Sequence, residues 1–269
     1  MNIYPMLGAL TAAALLLSGC GDQSDRPWGD NGPVVSERRE VAAFDAIDMK
    51  GAAKLEITIG EPVSVQVSGH EKAVSRMQTE VRGSTLHIKG RARDWMIRDD
   101  GSRLTIQITL PKLASLELQG GNDVRVAGLS GGDTTIKAEG AANINGFGQL
   151  DELTVRLTGA GHADLSELAV ADATVTVDGV GSVIVNAHES LDATMNGVGA
   201  IFYTGTPHKV NTRMNGLGTI AQRSPDEEPT AEPGTEQQQK PVDPDSLPLE
   251  REDPRQEPVS RKSGRIIVI

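Results

Sequence analysis

The chain has 269 residues, with 37 acidic and 26 basic side chains and a formal net charge of −11. That balance argues against nucleic-acid binding, which rests on cations placed against phosphates, and aromatics at 3% leave few faces for stacking bases or sugars. The single cysteine, Cys20, excludes an intramolecular disulfide and a thiolate metal site.

At the N-terminus, Met6–Leu17 is an apolar run of signal-peptide length, too short to span a bilayer comfortably. It ends in Leu17-Ser18-Gly19-Cys20, which resembles the bacterial lipobox, although Met1–Pro5 lacks the usual Lys or Arg. The expectation is a signal peptide over 1–19, removed before a lipidated Cys20. Several acyl chains on that cysteine would hold the protein stably at a membrane. Gly21, rather than Asp, points to sorting to the outer membrane, facing the periplasm or the surface. A polar tether follows to residue 40, with Pro27, Gly29, Gly32 and Pro33.

Residues 41–223 read as one β-rich domain. Val63–Gly69, Thr85–Gly90 and Leu104–Pro111 alternate apolar and polar residues, the pattern of strands with one buried face. Between the last two, Gly90–Gly101 breaks the alternation with charges around Trp95, a residue type that can anchor a partner or fold back as a lid. From Gly120 onward the chain repeats. Gly120, Gly140, Gly159, Gly179, Gly197 and Gly216 recur at intervals of 18–20 residues, the mark of stacked supersecondary units. Four positions before them stand Leu116, Ile136, Val155, Val175, Ala193 and Thr212; two before stand Leu118, Ala138, Leu157, Val177, Met195 and Met214. Four positions after them stand Val124, Ile144, Ala163, Val183, Ile201 and Ile220. Each repeat is therefore strand, glycine corner, strand, turn, with glycine supplying the corner conformation without a Cβ clash. Ile47–Leu55 copies the pattern once more. Since one repeat cannot bury its apolar face alone, the units should coil into an all-β solenoid, a parallel β-helix with rungs of about 20 residues and, by the crossover rule, a right hand.

Residues 224–259 are rich in proline and in acids over bases, a composition that cannot form a core and is expected to remain disordered. The tail from 260 to 269 turns basic and then apolar, ending Ile266-Ile267-Val268-Ile269, a segment able to add as a strand to an open sheet edge.

Phe44-Asp45-Ala46-Ile47, the strand at Leu55–Ile59 with Gly60, Gly83–Ile88, Leu110–Leu113 and the Gly-x-Gly rungs resemble the GIN domain, described as a putative auto-transporter adhesin head, over about 41–223. The resemblance implies a right-handed parallel β-helix. It carries over no catalytic residues.

The polar residues just before each corner glycine form a column: Gln119, Glu139, Thr158, Asp178, Asn196 and Asn215. It reads either as a ligand-binding stripe along one face or, as the general expectation for polar strand faces favours, as a solvated edge ending in an asparagine ladder. Glu139 and Asp178 stand two rungs apart, near the upper end of the separation used by paired carboxylates in glycoside hydrolysis, but no sugar-stacking aromatic accompanies them. His70, His87, His162, His188 and His208 show no metal-ligand spacing, and Gly120-Gly121-Asn122-Asp123 lacks the nonapeptide repeat of calcium-binding solenoids. The residues thus imply a non-catalytic binding, adhesion or scaffold module with no cofactor or metal, whose partners are a membrane through its lipid and an envelope protein or glycan. Trp95 and Ile266–Ile269 are the candidate partner contacts. The rival reading is a polysaccharide-acting hydrolase or lyase on the same scaffold.

Overall fold

The computed structural model describes residues 32–90 and 104–223. Cys20, Trp95 and Ile266–Ile269 lie outside them. The described residues are almost entirely extended: β1 Val34–Arg39, β2 Ala46–Ile59, β3 Ser64–His70, β4 Gln78–Arg82, β5 Thr85–Lys89, β6 Thr105–Leu110, β7 Ser115–Ser130, β8 Asp133–Val177, β9 Val180–Met195, β10 Val198–Thr204, β11 Lys209–Met214 and β12 Leu217–Gln222. One short helix, α1 Glu71–Val74, interrupts them. All twelve strands join one sheet.

Between β2 and β7, and on through β12, the pairing is parallel, and each residue stands over its counterpart in the neighbouring rung. Ile47 pairs with Leu116 and Leu116 with Ile136; farther along, Val175 pairs with Ala193 and Ala193 with Thr212. The columns of alternating aliphatics are therefore real columns, and their side chains fill one continuous interior. Burial of each such side chain contributes roughly 1.5–3 kcal/mol, and only stacking can supply it.

A wholly parallel sheet is not what forms. β1 pairs antiparallel with β3, β3 with β6, and β4 with β5, so the sheet is mixed. Residues 34–39, which composition assigns to the tether, form β1. Its alternation is muted because Ser36, Glu37, Arg38 and Arg39 suit a strand with one edge in solvent. The order of layers also departs from the order of the chain. β2 pairs with β7 on one side and with both β5 and β6 on the other, so the chain lays down an inner rung first and builds outward from it in both directions.

The corner glycines superpose in this stack. Gly51 pairs with Gly120 and Gly120 with Gly140. Gly140 has φ +108°, and a Cβ there would fall 2.5 Å from the carbonyl oxygen of Gly120. Gly159, Gly179, Gly197 and Gly216 each sit in the same way over the carbonyl of the corner before. No side chain fits such a column, which is why the repeat keeps glycine there.

Candidate binding surface

The outer faces carry polar ladders running from rung to rung. In the column before the corners, Asn215 Nδ2 donates to Asn196 Oδ1 at 2.9 Å and Asn196 Nδ2 donates to Asp178 Oδ1 at 2.6 Å. Arg156 pairs with the other oxygen of Asp178. On the preceding strand face Lys137 Nζ meets Glu117 at 3.0 Å. Beyond the corners His162 Nδ1 and Ser182 Oγ lie 2.6 Å apart. Farther along the strand face that precedes the corners, Asp192 accepts from Asn211 at 2.9 Å and from Arg213 at 3.1 Å. Strand spacing dictates this: side chains at equivalent positions in neighbouring strands stand within reach of one another. Glu56 accepts from Lys54 and Gln107, whose hydrogen bonds hold its carboxyl below the ordinary carboxylate range.

Asp178 is thus engaged by a guanidinium and an amide, whereas Glu139, two rungs away in the same column, is exposed. Among the described residues no group of three or more His, Cys, Asp or Glu could hold a metal ion. The histidines meet different partners: His87 meets Asp48, His208 meets Glu189, and His70 meets the Gly32 carbonyl.

The six corner glycines form the spine already described. Gly51 extends it, and a Cβ there would approach Gly90 within 3.0 Å. Gly90 is therefore a further corner, which the sequence conceals because its rung lies on the far side of β2. The register also locates the charged interruption. Lys50 pairs with Lys89 and Lys54 with Thr105, so Lys89 and Thr105 flank in sequence what β2 spans with Gly51–Ala53 alone.

Two surface features were not legible from the repeat alone. Val180, Val198 and Leu217 pair in register as an exposed apolar ridge beside the corners, with Leu217 74% exposed. At the last rung the interior itself reaches solvent: Met214 is 41% exposed, while Met195, its partner one rung below, is 0% exposed. Inside the stack, Asn122 stands in register between Ala53 and Ala142, is 5% exposed, and neither of its amide atoms has a hydrogen-bond partner.

Comparison with known proteins places the fold. A solved Bacteroides fragilis protein described as a "putative adhesin" superposes with a TM-score of 0.58 at 21% identity, covering 71% of this chain and 97% of its own. A second, from Parabacteroides distasonis, has a TM-score of 0.46 at 18% identity over 71% and 98%. No functionally curated protein has a significantly similar sequence. The family model described as "Putative auto-transporter adhesin, head GIN domain" matches residues 43–207. With that match spanning more than half of its length, the chain belongs to the GIN-domain family.

Proposed function

We propose that this protein is a non-catalytic module of the bacterial cell envelope, acting in adhesion or as a scaffold through the outer walls of a right-handed parallel β-helix. A lipid on Cys20, following a signal peptide over 1–19, ties it to the outer membrane. The tether is shorter than composition suggests, ending where β1 begins. Trp95 and Ile266–Ile269 are offered as additional contacts.

The observation that carries this reading is the pairing of charge along the outer faces. Asp178, Asp192 and Glu117 are each neutralised by a neighbour on an adjacent rung or the same face, which suits a rigid recognition wall and not a carboxylate poised for proton transfer. The family's description as an adhesin head supports the same conclusion, and no helix among the described residues is long and apolar enough to cross a membrane.

In-cell crosslinking from wall positions such as Thr158, followed by identification of the captured species, tests the proposal. The expected result is a discrete envelope protein or glycan, with capture reduced by Trp95→Ala or by deletion of 260–269. Turnover of an envelope glycan that disappears with Glu139→Gln or Asp178→Asn would replace the proposal with a polysaccharide-acting enzyme.

A further inference from the structure

The two ends of the sheet are finished differently. At the β1 end the outermost strand sets Glu37, Arg38 and Arg39 along its length, and β4, at the edge beside β5, carries Glu80 and Arg82, which pair at 2.7 Å. Charges on an edge strand discourage another strand from adding. α1 closes over the same end, burying Val74.

At the opposite end, β11 pairs only with β9 and β12 only with β10 among the described residues. The Leu217 amide donates to the Gly197 carbonyl and that of Arg223 to Tyr203, while Asn215 donates to Met195. Backbone groups alternate direction along a strand. The amides of Thr212 and Met214 in β11, and of Ile220 and Gln222 in β12, therefore point away from the stack. Beside them the interior is uncovered at Val210 and Met214. The strands of this rung carry no Asp or Glu: Arg213 is paired with Asp192 of the rung below, and Lys209 and Arg223 add two further cations, Arg223 over the Phe202 ring.

We propose that this last rung is a strand-docking site for an extended segment of another protein that alternates aliphatic and acidic residues. The aliphatic side chains would close the interior over Val210 and Met214, the backbone would complete the outward amides, and the acids would meet the cations. A lipid surface offers the apolar cover and the negative charge but cannot satisfy the outward backbone groups. A second copy joined end to end would bring the cations of both copies together. The proposal rests on the chain being a binding module, and it specifies where and by what chemistry.

The probe is a fluorescein-labelled peptide of four Val-Glu repeats, titrated by anisotropy into the full chain in detergent. Thr212→Pro and Gln222→Pro each remove an outward amide while sparing the pairing to the rung below. Lys209→Glu with Arg223→Glu inverts the charge without touching the strand backbone. We expect each proline variant to weaken binding by about ten-fold or more. The charge variant should lose the Val-Glu peptide and gain one of Val-Lys repeats, with circular dichroism and melting confirming that every variant is folded. Affinity unchanged by the proline and charge variants overturns the proposal. So does a dimer that Thr212→Pro dissociates, or binding to phosphatidylglycerol vesicles with none to the peptide. A chain that ignores the peptide yet still crosslinks an envelope partner through Thr158 has lost this site but kept its role as a binding module.

Discussion

At the scale of single residues the stack enforces one rule with few exceptions, and the exceptions locate its weak points. Asn122 occupies an inward position flanked in register by two alanines, and its amide has no partner. An unsatisfied buried polar group costs about 1–3 kcal/mol. Asn122→Ala should therefore stabilise the domain by roughly 1 kcal/mol, read as a rise in the denaturant midpoint at unchanged slope. Glu56 makes the opposite contribution. Its carboxyl is held below the ordinary value of 4.5 by Lys54 and Gln107, so the folded state binds its proton less readily than the unfolded chain. The stabilisation is fully present above the unfolded value and fades as pH falls through the folded one. Because the group is about one-third exposed, the effect is below about 1 kcal/mol. Glu56→Gln should flatten the loss of stability between neutral pH and pH values below the ordinary carboxylate range, measured by melting across that span. Asn122 was visible in the sequence only as part of a polar corner. Its burial depends on which way the corner turns, and spacing does not encode that.

At the scale of elements, the rungs from β7 to β12 were largely legible. Period-two alternation fixes which residues face inward, and a recurring glycine fixes where the ribbon bends. Val155, Val175 and Ile136 fell where that logic puts them, all within β8. Before β7 the strands β2, β3, β5 and β6 were legible from their alternation, but their stacking order was not, because β5 and β6 stack on the outer side of β2 and the nearest neighbours in space are not the nearest repeats in sequence. β1 was missed since an edge strand needs only half its residues to be apolar, and α1 since a single turn leaves no periodicity to read. The exposure of the final rung yields a paired test. Met195 and Met214 occupy one column in register, but only Met195 is buried on both sides. Met195→Ala should cost about 2–5 kcal/mol, the usual range for a buried methionine. Met214→Ala should cost less than about 1 kcal/mol, in keeping with an exposed site. Equal losses in chemical denaturation would mean that the last rung is covered in solution.

At the scale of the whole molecule, the wall was readable and its occupant was not. Flat polar ladders follow directly from register, so the sequence could name their members: Asp178, Asn196 and Asn215 hydrogen-bond in succession as a ladder should. The features proposed as contacts, by contrast, fall where the repeat fails. The stretch around Trp95, the exposed ridge of Val180, Val198 and Leu217, and the last rung are all departures from the consensus unit, and a repeat pattern carries no information about its own departures.

The placement of β2 between β7 and the β5–β6 layer has a consequence for how the protein is made. Repeats beyond β7 find their partners within about 20 residues along the chain, whereas Ile47 must wait for Leu116. The longer closure costs about 1 kcal/mol more in chain entropy. As synthesis proceeds, β2 leaves the ribosome before either of its flanking layers exists, with two unsatisfied sides that could pair with the wrong strand. A nascent chain of this kind gains from being kept extended until Leu116 and its neighbours have emerged, and a holding chaperone would do its work in that interval.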